Sequence, residues 1–294
     1  MEYNGGREQI INKVIELSNG VDLHVHTNAS DGSNPPEEVV RLAAEAGLQA
    51  IAITEHDNTN SLARSMAAGQ VYGVEVIPGI ELSADYKGIE VHILGYFIDP
   101  DADSLCDLLE IALANREVRN QKICARLREE GIEVTMEELR ARHPGTVLGR
   151  PHIGLLMMEK GYVESVRRSF REYMGKGAKC YIPKVNMPME RAISRILAAG
   201  GVPVLAHPFQ YELPEEELRE LIELVIGLGC AGMECIYARY DDAQRAYLCC
   251  LAEEYGLIIT AGSDYHGTPK PDILLGDIRG DYGQVQQLRE KCGK

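Results

Sequence analysis

Apolar runs short enough to be buried strands recur along this chain, and most of them end in histidine, aspartate or glutamate. Val21-Asp22-Leu23-His24-Val25-His26 opens the pattern. A β-strand sends residues two apart to the same face, so both imidazoles point together. Residues 48–54 lead to Glu55-His56-Asp57, residues 74–80 lead to Glu81, and His92 falls inside residues 88–98. Further on, residues 202–206 lead to His207, residues 231–236 to Tyr237, and residues 257–261 to Gly262-Ser263-Asp264-Tyr265-His266. Helical stretches separate these runs. One extends from about residue 35 to 47, with Asn34 as its cap, Pro35 first and Glu37 third. Another ends near Tyr72 and starts from Asp57 or Asn58. Strand and helix alternating at this spacing predict parallel βα units, whose active-site residues gather at the carboxyl ends of the strands.

The alternation stops between about residues 101 and 188. A long helix from about 102 to 130 is followed there by shorter helical pieces and a Gly/Lys/Pro-rich stretch, 175–188. The expected organisation is a discontinuous α/β barrel of residues 1–100 and 189–294, with residues 101–188 as a helical cap domain inserted over the site. Residues 1–19 read as an amphipathic helix on Ile10, Ile11, Val14, Ile15 and Leu17, and a short helix near 282–292 ends the chain. No run of 18 apolar residues and no signal-peptide pattern is present, so a cytoplasmic location without membrane association is expected. The eight cysteines lack paired zinc-ribbon spacing and read as reduced, mostly buried thiols.

A formal net charge of −15 argues against a duplex DNA surface, which needs clustered Lys and Arg. An anionic substrate must then be attracted locally, and bound divalent cations supply that attraction. His24, His26, Asp31, His56, Glu81, His92, His207, Asp264 and His266 offer nine nitrogen or oxygen ligands, which suit two or three ions. With no cysteine among them, the set points to Mn²⁺, Fe²⁺ or Zn²⁺ in an open hydrolytic centre that activates a bridging water. Within the insertion, Gly149-Arg150-Pro151-His152 combines an Arg with a Pro that can start a helix, a combination suited to phosphate.

The segments His24-Val25-His26, Asp31-Gly32, Thr54-Glu55-His56-Asp57, Pro78-Gly79-Ile80-Glu81, His92-Ile93-Leu94-Gly95-Tyr96, Ala206-His207-Pro208 and Gly262-Ser263-Asp264-Tyr265-His266 closely resemble the polymerase and histidinol phosphatase (PHP) family. The resemblance spans about residues 21–267. It implies a distorted (β/α)7 TIM-like barrel with a trinuclear metal site. On that pattern His24, His26, Glu81 and Asp264 hold one ion, Glu81, His92 and His207 a second, and Asp31, His56 and His266 a third. The insertion and the Arg150-Pro151-His152 motif resemble the stand-alone branch of 3′,5′-nucleotide bisphosphate phosphatases and 5′-to-3′ exoribonucleases. The implied substrate is a small nucleotide or short RNA, with Arg150 and His152 as phosphate or nucleotide binders. The expected reaction is in-line attack on phosphorus by a metal-bridging hydroxide, with Arg150 neutralising oxygen charge and His207 or a metal-bound water serving the leaving group. From a different functional class, a metal-stabilised binding or regulatory module is the competing reading.

Overall fold

A computed structural model of the chain describes residues 20–294; the helix expected over residues 1–19 lies outside them. Eight strands form one sheet: β1 (Val21–Val25), β2 (Ala50–Ile53), β3 (Glu75–Tyr86), β4 (Ile89–Tyr96), β5 (Met187–Pro188), β6 (Val202–Leu205), β7 (Gly232–Tyr237) and β8 (Ile258–Gly262). Their spatial order is β1-β2-β3-β4-β6-β7-β8, with the two-residue β5 beside β3. The sheet nearly closes on itself, because Asp264 N donates to His24 O at 2.8 Å and His26 N to Tyr265 O at 3.0 Å. The result is a distorted barrel, as expected, but one strand departs from the parallel pattern. β4 runs antiparallel to both β3 and β6. Its reversal comes from a two-residue hairpin turn in which Lys87 and Gly88 have φ of 50° and 80°, the conformation whose twist suits paired strands.

The barrel strands are apolar on both faces because each is covered twice. Inward, Leu23, Ala50, Ala52, Ile77, Leu94, Tyr96 and Val204 pack with Val285 and Leu288 of the last helix, α10 (Tyr282–Lys291). These residues fill the end of the barrel where the parallel strands begin. Only the opposite end is left for polar groups. Outward, Ile51, Ile53, Leu82 and Met233 pack against α1 (Pro36–Glu45), α2 (Leu62–Tyr72), α7 (Met189–Ala198), α8 (Glu215–Gly227) and α9 (Asp242–Tyr255). Two helix starts differ from expectation. Pro35 is the N-cap of α1, and Asn34 Oδ1 instead accepts from Ser33 Oγ at 2.7 Å and Tyr265 OH at 3.4 Å. Ser61 is the N-cap of α2, while Asn58 Oδ1 accepts from Asn60 N and Asp57 Oδ1 from Ser83 N, both at 3.0 Å.

Between β4 and β5 run α3 (Asp103–Glu129), α4 (Met136–Arg142), α5 (Arg150–Glu159) and α6 (Val166–Ser169), the last continuing into a π turn at Phe170–Met174. Leu105, Leu108 and Leu109 at the start of α3 join the barrel core. Ile123, Cys124 and Leu127 further along it pack instead with Leu139, Ile153, Leu156, Met157 and Met174 in a separate cluster. One helix thus belongs to two cores. Thr146 Oγ1 donates to Asn28 O at 2.9 Å and Val147 N to Ala29 O at 3.1 Å, tying these helices to the loop that carries Asp31. All eight cysteines are free, but only Cys124, Cys180, Cys230 and Cys235 are buried, so the expectation of mostly buried thiols is corrected for Cys106, Cys249, Cys250 and Cys292. Among the described residues no helix is long and apolar enough to cross a membrane.

Candidate metal centre

The polar end of the barrel collects all nine residues singled out in the sequence. His24 lies on β1 and His26 just past it; His56 follows β2, His207 follows β6, and Asp264 and His266 follow β8. Glu81 lies in β3 and His92 in β4, two positions apart across the hairpin, since Ser83 pairs with His92. Glu81 is the centre of the group and fully buried. Its Oε2 lies 3.2 Å from His24 Nε2, 3.2 Å from His26 Nε2 and 3.0 Å from His56 Nδ1. Its Oε1 lies 2.7 Å from His92 Nδ1 and 3.1 Å from His207 Nε2. Asp264 Oδ1 faces His24, His26 and His266 at 3.7, 3.4 and 3.3 Å, and Asp31 Oδ1 faces His266 Nε2 at 3.1 Å and His56 Nε2 at 3.9 Å.

These donors fit divalent cations better than they fit one another. Glu81 Oε2 and Asp31 Oδ1 are buried without a hydrogen-bond partner, which is costly for a carboxylate oxygen. The Nε2 atoms of His24 and His26 stand 3.1 Å apart, both directed at the same point as Glu81 Oε2. A tetrahedral ion at about 2.0–2.2 Å from each donor separates its ligands by roughly 3.3–3.6 Å, close to the spacings found here. Four overlapping groups have donor atoms close enough to share an ion: His26-Asp31-His56-His266, His24-His26-Asp264, His24-Glu81-His207 and His56-Glu81-His92.

Carboxylates behind this layer fix the imidazoles, and the sequence reading missed them. His24 Nδ1 donates to Glu234 Oε1 at 3.0 Å, leaving Nε2 free to face the centre, and Glu234 Oε2 accepts from His207 N at 2.9 Å. His92 Nε2 donates to Glu90 Oε1 at 3.2 Å, and His266 Nδ1 to the Asp264 carbonyl at 2.8 Å. Such partners set the tautomer and the ring orientation. Glu55 accepts from Thr27 N at 3.1 Å, from Ser61 Oγ at 2.8 Å and from Ser30 Oγ, shaping the loop that carries Asp31. The available signal was a lone carboxylate within a buried apolar strand, as at Met233-Glu234-Cys235. Asp57, His207 and Asp264 hold φ of 51°, 22° and 57°, strain of about 1–3 kcal/mol each that the surrounding contacts must offset.

Burial disfavours charge on Glu81, Asp31 and Asp264, yet neighbouring imidazoles, and Lys270 beside Asp264, hold all three well below the usual carboxylate range. His56 is pushed down to about 3, mainly by burial.

Arg150 and His152 stand apart from the nine. Arg150 Nη1 donates to Met174 O at 3.3 Å, and its guanidinium stacks 5.2 Å from the Phe170 ring centre. His152 Nδ1 accepts from Gly149 N at 3.0 Å, closing the first turn of α5. Lys270 bonds the donor Asp264 directly; around the Asp57 side stand Arg116, which bonds Asp57 at 2.5 Å, and Lys184, which reaches Glu90 at 3.1 Å and Asp57 at 3.4 Å. With Arg119 and Arg191 they line a crevice of about 150 Å³. Burial pushes the His152 imidazole down to about 4. Because the folded form resists protonation, His152 has no effect on stability above about pH 6.5 and costs roughly 3 kcal/mol as pH falls from 6.5 to 4. Urea titrations are expected to show that loss in the native protein and a smaller one in His152→Asn.

The PHP domain family profile matches residues 22–228. The 5′-3′ exoribonuclease Rnm of Escherichia coli is 33% identical over 257 residues, 87% of each chain. The 3′,5′-nucleoside bisphosphate phosphatase of Chromobacterium violaceum is 30% identical over 275 residues, 92% of this chain and 93% of that one. A phosphoribosyl 1,2-cyclic phosphate 1,2-diphosphodiesterase of Eggerthella lenta is 35% identical over 250 residues, 84% and 94% of the two chains. Among solved structures, a Bifidobacterium adolescentis protein proposed to be a metal-dependent phosphoesterase superposes with a TM-score of 0.86 at 28% identity, covering 94% of this chain and 97% of its own.

Proposed function

The chain belongs to the PHP domain family and is a metal-dependent phosphoesterase, and we propose that it releases phosphate from a small nucleotide, with a nucleoside 3′,5′-bisphosphate as the substrate. The observation that carries this reading is the complete set of nine donors gathered at one end of the barrel, five of whose imidazoles meet the Glu81 carboxylate. Two to three ions of Mn²⁺, Fe²⁺ or Zn²⁺ would be held by His24, His26, Glu81 and Asp264, by Glu81, His92 and His207, and by Asp31, His56 and His266. Bound there, they supply Lewis-acid charge that activates water and neutralises phosphoryl oxygens.

The chain's own groups do the rest. Residues 101–188 would cap the centre and bring Arg116, Arg119 and Lys184 beside it, giving an acidic protein a local attraction for phosphate. Arg150 offers oxygen-charge neutralisation, His152 lies at the same helix start, and His207 serves the leaving oxygen. Free thiols throughout fit a reducing, cytoplasmic setting.

A second reading, 5′-to-3′ removal of nucleotides from short RNA, is favoured by a groove of about 570 Å³ on the other side of α3. It is lined by Asn60, Arg116, Asn120, Arg140 and His143, which can donate to a phosphodiester backbone, and the similar Escherichia coli protein is a 5′-3′ exoribonuclease. The two separate in one experiment on Mn²⁺-loaded protein, with and without chelator. Chelator-sensitive phosphate release from adenosine 3′,5′-bisphosphate supports the phosphatase. Mononucleotide release from end-labelled short RNA without phosphate release transfers the assignment to the nuclease. Stoichiometric metal with turnover of neither substrate, nor of a ribosyl 1,2-cyclic phosphate, leaves a metal-stabilised binding module.

A further inference from the structure

Two side chains outside the donor set converge on one oxygen of Asp264. Tyr237 OH donates to Asp264 Oδ2 at 2.8 Å, and the Lys270 ammonium bonds the same oxygen. The other oxygen, Oδ1, faces the imidazoles of His24, His26 and His266. The two oxygens of this carboxylate therefore have separate duties, one inward and one outward.

Lys270 does not arrive there by chance of a long side chain. Its loop is sewn to the β1 loop by Thr268 N donating to Ser33 Oγ at 3.0 Å and Ser33 N to His266 O at 2.9 Å. Gly267 sits at φ 71°, a conformation that favours glycine, with Ser33 Oγ and Asn34 Oδ1 where a side chain would begin, so a larger residue would be strained and would displace both groups. Beyond Lys270, Asp272 pairs with Arg239 at 3.1 Å, anchoring the far side of the turn to the loop after β7.

A lysine this close to a divalent cation repels it, so its position calls for a compensating gain. An aspartate that is free to turn about its last bond can take an ion through either oxygen or both. Donors on Oδ2 remove that freedom and leave Oδ1 alone to coordinate. Asp264 is thus held at the backbone by its left-handed φ of 57° and at the carboxylate by two donors.

We propose that Lys270 and Tyr237 form a clamp that makes Asp264 a one-oxygen metal ligand, with Lys270 as its charged positioning residue. The proposal rests on the reading that Asp264 holds a metal ion, and the test separates the two. Metal number and affinity are measured by chelator competition with Mn²⁺ on the full chain, in the native protein and in Lys270→Met, Lys270→Arg, Tyr237→Phe and Asp264→Asn, with thermal unfolding of each metal-free protein as the check on folding. Lys270→Met is expected to weaken the tightest-affected ion about 10–100-fold, as loss of an orienting partner does. Tyr237→Phe is expected to weaken it less, and Lys270→Arg to restore most of the loss. If Asp264→Asn binds the same ions as tightly as the native protein, the underlying reading fails. If Asp264→Asn loses an ion while Lys270→Met and Tyr237→Phe bind like the native protein, the clamp fails and the reading stands. Tighter binding in Lys270→Met also overturns the clamp, because Lys270 would then act on the ion by repulsion alone.

Discussion

Glu81→Gln is expected to lower kcat/KM by about 10³-fold or more and to reduce the number of metal ions retained, while leaving the fold intact. One carboxylate meets five imidazoles, those of His24, His26, His56, His92 and His207, through both of its oxygens. Glutamine keeps the size but removes the charge and turns one acceptor into an NH2 donor, which cannot face a cation. The several kcal/mol of transition-state charge stabilisation that bound metal supplies correspond to about 10³-fold at 1.36 kcal/mol per decade. Metal analysis, steady-state rates with saturating Mn²⁺ and far-UV circular dichroism decide it together. A folded Glu81→Gln protein with the native metal count and a rate within tenfold of native would remove Glu81 from the centre of the chemistry. Glu234→Gln is the informative comparison. Glu234 only orients His24 and His207, so its loss should fall in the 10–100-fold range of an outer partner.

Eight of the nine donors were legible because each ends or interrupts an apolar run, where a buried strand has no other use for a polar group; Asp31, in the polar loop after β1, stood out only through the Asp31-Gly32 resemblance. His24 and His26 were the plainest case, since the period of a strand alone puts them on one face. The direction of β4 was harder to read. Residues 88–98 look like the other runs and were read as one of them; the missing helix before them and the Lys87-Gly88 pair were the signals of a hairpin that this reading passed over. Asn34, Asp57 and Asn58 were assigned as caps on local grounds, but contacts distant in sequence claim two of them: Asn34 with Tyr265, and Asp57 with Ser83 and Arg116. Asn58 folds into its own turn instead. The same limit hid Arg116 and Lys184. A cation on a long helix reads as solvated until the fold brings a buried Asp57 against it. Arg150 and His152 were visible as a motif, yet their nearest partners are the backbone of Met174 and Gly149, which no local pattern announces.

Metal loading at pH 7.5 is expected to release about two protons per chain, and the stabilisation it confers should grow between pH 6 and 9. In the metal-free chain burial disfavours the imidazolium of His26, but Asp264 and Glu81 outweigh it and hold the group up to about 9. Burial likewise opposes charge on His92, and Glu81 and Glu90 hold it up to about 10. His24 is also held well above its usual value, by Glu234, Glu81 and Asp264 against burial. His26 and His92 are thus held above pH 7.5, and a ring that carries a proton must give it up to present a lone pair to an ion. The sign for stability follows from the direction of each shift. Groups raised in the folded state contribute stability that is fully present below about pH 6.5 and is lost as pH climbs through about 9 to 10. Glu81, Asp31 and Asp264, lowered in the folded state, contribute stability that is present above about pH 4 and is lost on acidification. His56, pushed to about 3, adds to the acid-side loss, since it charges more readily when unfolded. The metal-free protein should therefore melt highest near neutral or slightly acid pH and lose stability toward pH 10. The loaded protein, whose ions meet less proton competition as pH rises, should not follow it down. Calorimetric titration of Mn²⁺ in two buffers of different ionisation enthalpy counts the protons, and thermal unfolding with and without chelator at pH 6, 7.5 and 9 measures the gap. No proton release, together with a gap that is constant across the three pH values, would mean that the imidazoles are already neutral before metal arrives. Glu81 would then hold no charge partner in the metal-free protein, and its close approach to five rings would have to be explained by hydrogen bonding to neutral rings alone.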